Sequence, residues 1–323
     1  MKGYKAFSKG LICRGKQYKV GETYTEDKAV PCERGMHFCE GPFDVWNYYD
    51  IFDADMQETE YAEVEAVDEP VTDDNQKYCT TKLRIVAKLS FAEFIKAGID
   101  FLLEKTKPRD DRSLNDNGTK AARIGSSGYS AQIGSSGDYA QIGSSGDSAR
   151  IGSSGGSARI GSSGDSAQIG SSGYSAQIGS SGYSARIGSS GNYAQIGSSG
   201  YSARIGSSGY SARIGSSGDS AQIGSSGDSA QIGSSGDSAQ IGSSGDSAQI
   251  GSSGEDAVIC CAGKHSRAKA KKGSWITLSE WVYHDTKERW VPACVKTEQV
   301  DGERIKEDTW YKLENGEFVE VEE

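Results

Sequence analysis

Two groups of residues combine types and spacings that could do chemistry. The first is Cys32-Glu33-Arg34-Gly35-Met36-His37-Phe38-Cys39, the densest run of soft ligands in the chain. Zinc takes four thiolate or imidazole ligands in a tetrahedron, and Cys13, Cys32, His37 and Cys39 would supply that number. No Cys-x-x-Cys pair occurs there, and no second pair follows. Buried cysteines around a structural histidine are therefore the simpler expectation, and no metal or cofactor is expected. The second group lies in a repeat. From Ile124 to Ile259, Ile-Gly-Ser-Ser-Gly-x-Ser-Ala-x returns every nine residues without an insertion. Only the residue after Gly-Ser-Ser-Gly varies freely. Tyr174, Tyr183, Tyr201 and Tyr210 occupy it mid-repeat, with Tyr193 beside them, and Arg186, Arg204 and Arg213 fill the outward position nearby. Stacked rings and guanidiniums can hold planar or anionic groups. The plainer alternative is that tyrosines stacked along a sheet only stabilise it. Beyond Ile214 the repeats carry Asp and Gln and no Arg. Aspartates about 5 Å apart repel, so they require cations or hydrogen-bond donors.

These residues need elements to hold them. A fixed short period with invariant glycines predicts a solenoid. Ala and Ile stand two apart, as in Ala131 and Ile133, so they share one face of a strand. They are the only apolar repeat positions and must point inward. Gly-Ser-Ser-Gly makes the corner, where glycine permits a positive φ. One Ile and one Ala per unit is thin filling for a three-sided coil, so two units back to back, about 18 residues per coil, are favoured. Roughly seven and a half coils then span about 36 Å at the strand spacing. In such a coil Ile151 lies over Ile169; in a 27-residue coil it would lie over Ile178.

Residues 1–89 read as a small α+β domain. Gln17 to Val20 and Thr23 to Thr25 suggest a hairpin, Pro42 to Tyr49 a short helix with Pro in its first turn, and Tyr61 to Val67 and Leu83 to Leu89 strands. Twelve acidic residues and no Lys or Arg lie between Asp44 and Asp74, which fits a solvated face or a surface for a basic partner. Residues 90–118 are a helix and connector. Ser90 and Glu93 form a capping box, and Phe91, Phe94, Ile95, Ile99, Leu102 and Leu103 make an apolar stripe. This helix is expected to plug the solenoid, whose end coils expose core and strand edges. Arg109 to Gly118 is a polar link. The solenoid occupies 119–259, and 260–323 form a small β domain, the C-terminal cap. There Lys264 to Lys272 is a basic connector, and Asn315-Gly316 between alternating runs marks a hairpin. The fold class is thus mainly β: a two-sided parallel β-solenoid capped by a small α+β domain with a capping helix and by a small β domain.

Composition narrows the function. A formal charge of −10 argues against nucleic-acid binding over the whole surface. Seven cysteines without regular spacing suit a reduced, cytoplasmic chain. No apolar run approaches a membrane span, and the first residues lack a signal core. No phosphate loop, nucleophile elbow or paired zinc knuckle occurs.

The repeats resemble the nonapeptide parallel β-roll of calcium-binding toxins. Those carry Gly-Gly-x-Gly-x-Asp, whereas Ser130 and Ser148 stand at the aspartate position here and only Asp256 matches. The resemblance implies the coil, with hydroxyl groups in place of calcium at the turns. Gly35-Met36-His37, the aromatic segment ending at Tyr48-Tyr49 and the Tyr61 to Glu65 strand loosely resemble ADP-ribosyltransferase-like folds. That resemblance implies that His37 holds a nicotinamide ribose and that Glu63 or Glu65 polarises the reacting group. Gly3-Tyr4-Lys5-Ala6-Phe7, the Gly35 to Cys39 stretch and the Gly-Ser-Ser-Gly repeats also resemble uncharacterised proteins of phages and gut bacteria. The expected function is a non-enzymatic scaffold or interaction protein linked to a phage or mobile element. It would bind a partner, expected to be a protein, through the Tyr/Arg belt, with a small anionic or planar ligand as the other option. The rivals are a transferase in the N-terminal domain, an inhibitor that mimics a host factor as an acidic rod, and an ice-binding protein.

Overall fold

The computed structural model describes residues 1–52, 59–73, 76–105 and 122–321. The chain divides into two compact units, Met1–Lys105 and Thr106–Glu323. The expected link Arg109 to Gly118 lies outside the described residues.

The first unit is built on an antiparallel sheet. Its strands are β1 (Lys2–Phe7), β2 (Ile12–Cys13), β3 (Lys16–Gln17), β4 (Thr23–Thr25), β5 (Met36–Cys39), β6 (Glu60–Ala66), β7 (Val71–Thr72), β8 (Lys77–Thr80) and β9 (Lys82–Leu89). Seven of them run in the order β4-β9-β6-β1-β5-β8-β7, with β2 and β3 pairing separately. The alternation read from Tyr61 onward appears in β6, where Ala62, Val64 and Ala66 are buried and Glu63 and Glu65 half-buried. One face packs Phe7, Tyr18, Met36, Phe38, Val64, Leu83 and Ile85. Elsewhere Trp46, on a 3-10 turn at Pro42–Asn47, donates its indole N–H to Tyr61 Oη at 3.1 Å. Tyr61 in turn stacks on Phe94 at 3.8 Å.

One expectation fails here. The hairpin read across residues 17–25 does not close, because β3 pairs with β2 and β4 pairs with β9. The helix, α1 (Phe91–Lys105), keeps its capping box: Glu93 Oε2 accepts the Ser90 N–H at 2.8 Å and Ser90 Oγ the Glu93 N–H at 3.3 Å. Its buried stripe, however, is spent inside the first unit, where Phe94 meets Phe43, Trp46 and Tyr61. Periodicity shows that a stripe must be buried; it does not name the surface that buries it.

The second unit is the solenoid, of about nine turns and 18 residues per turn. Strands Arg123–Ser126, Gln141–Ser144 and their successors form one sheet, called sheet I; Gln132–Ser135, Arg150–Ser153 and theirs form sheet II. Ile151 pairs with Ile169 in a parallel register, so the coil is two-sided. Ile and Ala fill the interior, with Ile196 and Ala194 fully buried. Each buried isoleucine contributes about 2 kcal/mol, which repetition turns into a stable rod. At some corners the first serine steadies the turn, as where Ser171 Oγ accepts the Gly173 N–H at 3.3 Å.

The corner glycines are needed for a different reason from the expected one. No glycine of the repeat is among the described glycines at positive φ. A Cβ on Gly182 would instead lie 2.0 Å from the Gly164 carbonyl oxygen one coil earlier, and one on Gly191 1.8 Å from that of Gly173. The last glycine of each corner lets successive turns touch backbone to backbone.

The two sheets share one pattern and differ outside. On sheet II, Gly152, Gly170, Gly188 and Gly206 are exposed; on sheet I, Gly143, Gly161, Gly179 and Gly197 are buried. The stack also runs past the repeat. Arg267–Lys269 continues sheet I in parallel register with Gln249, so the basic segment expected as a connector is a further coil. Trp275–His284 and Arg289–Gln299 close sheet II, and Tyr311–Glu314 and Glu317–Glu320 close sheet I. The last pair turns at Asn315 and Gly316, with φ of 51° and 73°, which is the hairpin expected from Asn-Gly.

Candidate functional site

In the first unit a cleft of about 460 Å³ is lined by residues of β1 and β5. Three segments shape it: the β2–β3 turn brings Cys13, Arg14 and Lys16, the segment before β5 brings Cys32 to Gly35, and β8 brings Lys77. Gly35 has φ of +105°, and a Cβ there would meet Cys79 Sγ at 2.6 Å, so no other residue fits before His37. Cys13 Sγ lies 3.2 Å from Tyr49 Oη. The Tyr49 phenol is pushed up by burial and by Cys13, and that of Tyr18 is raised to about 12, chiefly by burial.

Lys5 is the unusual wall residue. It sits in β1 with 5% exposure and donates to the His37 carbonyl at 2.9 Å. Burial pushes its ammonium below the usual lysine range, with Cys13 partly offsetting this. His37 is likewise held low, first by burial and then by the charges of Lys77, Lys5 and Arg14. Three cations therefore converge on one imidazole, whose Nε2 is buried without a hydrogen-bond partner.

The residues read from sequence are only partly gathered. Cys13, Cys32, His37 and Cys39 all border the cleft, yet among the described residues no three His, Cys, Asp or Glu side chains come together as metal ligands. None of the seven cysteines is in a disulfide. Glu63 and Glu65 stand on β6, separated from β5 by β1, and neither lines the cleft. Glu63 pairs with Lys2 at 3.3 Å. Lys5, Arg14 and Lys77 escaped the sequence reading. The only available signal was Lys5 itself, alternating with apolar neighbours in a strand that buries that side.

The Tyr/Arg belt of the solenoid is divided between two edges. Tyr183 and Tyr201 stand on one corner row, their rings stacked at 5.3 Å and 11°, beside the exposed Arg186 and Arg204 of sheet II. Tyr174, Tyr193 and Tyr210 occupy the other corner row, tilted or edge-on at 5.1 and 6.3 Å. Arg213 belongs to sheet I, where its Nε donates to Gln231 Oε1 at 3.3 Å. Next to the stacked pair, the glycine floor of sheet II forms a trough of about 1500 Å³ walled by Arg150, Arg186 and Arg204 with intervening glutamines.

The corners also change along the rod. At Ser202 the turn N–H bonds back to Tyr183 O at 2.9 Å, whereas at Ser229 and Ser238 it bonds forward to Asp246 O and Glu255 O at 2.7 and 2.8 Å. The reversed serines adopt φ of 56° and 54°. There the aspartates find donors: Asp228 Oδ1 accepts the Asp246 N–H at 2.8 Å, and Asp246 Oδ1 the Lys264 N–H at 2.9 Å. The acidic ladder is thus bonded into the backbone one coil on.

Residues 1–97 match the family described as Domain of unknown function (DUF7666). The match ends within α1. No curated protein and no solved structure matches the chain. Among the described residues no helix is long and apolar enough to cross a membrane.

Proposed function

We propose that the chain is a non-enzymatic scaffold, a spacer whose length is set by coil number, and that it docks a protein partner on the open sheet II. The contact surface is the stacked Tyr183–Tyr201 pair with Arg186 and Arg204. What supports this reading is that two rings lie nearly parallel at 5.3 Å beside two exposed guanidiniums on an open trough. Rings and guanidiniums of this kind are enriched where interfaces concentrate their energy. Tyr174, Tyr193, Tyr210 and Arg213 form a separate surface. A link to phages or mobile elements rests on the sequence resemblance alone.

The repeat supplies its own control. Asp and Gln already occupy the equivalent positions at Asp219 and Gln222, so Tyr183→Asp, Tyr201→Asp, Arg186→Gln and Arg204→Gln together make the middle coils resemble later ones. Both proteins are immobilised in bacterial lysate and the retained proteins quantified by mass spectrometry. The proposal predicts a protein held reproducibly by the wild type and lost, about tenfold or more, from the variant. Equal retention on both, or none on either, would end it.

A further inference from the structure

The cleft of the first unit concentrates positive charge in an acidic domain. Residues 1–105 carry 20 acidic and 14 basic side chains, yet the cleft wall has Lys5, Arg14, Lys16, Arg34 and Lys77 against Glu26 and Glu33. Lys16 pairs with Glu26 at 3.0 Å and Arg34 with Asp27 at 2.8 Å, whereas among the described residues no carboxylate pairs with Lys5. Its polar contacts are a neutral carbonyl and the Cys13 thiol. A buried ammonium without an anion costs several kcal/mol, and such a group marks a site where an anion is taken up.

We infer that this cleft binds a small dianion of the phosphate class, held by Lys5, Arg14 and Lys77. The charge fits: Lys5, Arg14 and Lys77 line the same cleft as His37. Three cations match a dianion better than a single carboxylate, and a guanidinium engages phosphate oxygens in pairs. His37 Nε2, buried and unbonded, is a further polar group at the site awaiting a partner. The volume of about 460 Å³ exceeds the needs of inorganic phosphate. The remaining wall is aromatic, with Tyr18, Tyr48 and Tyr49, and Lys77 lies 4.3 Å from the Tyr48 ring centre. A phosphate monoester with a flat organic group uses both parts of the cleft.

The test is a titration of the full chain, followed by phosphorus NMR, with inorganic phosphate in one arm and phenyl phosphate in the other. Saturable binding in either arm supports the site. Tighter binding of phenyl phosphate assigns the ester, and equal binding assigns free phosphate. Affinity should weaken as salt rises. Arg14→Asn, which suits the left-handed backbone there (φ of 50°), and Lys77→Gln should each weaken binding about tenfold. Lys5→Met should abolish it; should that variant fail to fold, the two surface variants still decide. No saturation of the wild type in either arm below about 10 mM, or affinity unchanged in the Arg14→Asn/Lys77→Gln double variant, would overturn the inference.

Discussion

The two units bury a β-sheet in opposite ways. The first uses partners that occur once: Trp46 bonds to Tyr61, Tyr61 stacks on Phe94, and Gly35 alone fits beside Cys79. The second uses one solution many times, with Ile over Ile and glycine backbone against glycine backbone. Unpaired polar groups therefore mean different things in each. The hydroxyls of Ser144, Ser162 and Ser180 lack hydrogen-bond partners in the solenoid, but they recur as a ladder and belong to the coil. The unbonded Nε2 of His37 occurs once, in a cleft beside the buried Lys5, and recurrence cannot explain it. In the repeating unit, function is to be sought where repeats differ; in the other, where a polar group is buried singly.

The largest expected effect tests whether the units are separate. Phe94→Ala removes a fully buried ring that stacks on Tyr61 and should destabilise the first unit by about 3–5 kcal/mol. Hydrogen exchange should show faster exchange in β1, β6 and β9 and unchanged protection in the solenoid strands. Equal loss in both would mean that Phe94 also braces the solenoid and would erase the contrast.

Next come two glycines six residues apart. Gly200→Ala places a methyl 2.0 Å from the Gly182 carbonyl oxygen, whereas around Gly206 nothing lies within 4 Å of a new Cβ. The first should cost about 3 kcal/mol and loosen the neighbouring coils. The second should stay within about 0.5 kcal/mol. Thermal melting compares them; similar melting points would mean that coil-to-coil contact does not set the glycine requirement.

This pair also shows what the sequence could and could not convey. The period, the inward Ala and Ile, the two-sided coil and the Asn315-Gly316 hairpin were legible, because each rests on local geometry repeated or confined to a few residues. The glycine requirement was misjudged, since a positive φ and a steric approach from 18 residues away leave the same letter. The pairing of β4 with β9, the destination of the α1 stripe and the coil at Arg267–Lys269 depend on distant partners that no local pattern names. The candidate site was half legible for the same reason. His37 and three cysteines near it stood out by type, but Lys5, Arg14 and Lys77 become a group only when β1, the β2–β3 turn and β8 meet. The serine rows were legible too: Ser153, Ser171 and Ser189 are buried at strand ends, and the open sheet presents Gly with Gln or Arg rather than the hydroxyl rows an ice-binding face requires.

The smallest effect concerns the acidic end, where the sequence predicted repulsion that cations or hydrogen-bond donors must relieve. Asp246 accepts the Lys264 N–H at 2.9 Å and pairs with Lys264 Nζ at 2.7 Å. Partial burial raises its carboxyl, but the Lys264 bonds and charge outweigh this and hold it below the ordinary 3.8. A carboxyl lowered by folding stabilises the folded state fully above its ordinary value, and that stability is lost as pH falls through the lower folded value. The group is more than a third exposed, so solvent screening keeps the contribution well under about 1 kcal/mol. Asp246→Asn keeps an oxygen that can accept the amide but cannot titrate. Exchange of the Lys264 amide should therefore accelerate as pH falls below 3.8 in the wild type, after correction for intrinsic exchange, and stay level in the variant. The same slope in both would mean that the Asp246 carboxylate does not brace the last coils, and that the acidic rows are merely tolerated there, as at Asp147 and Asp165.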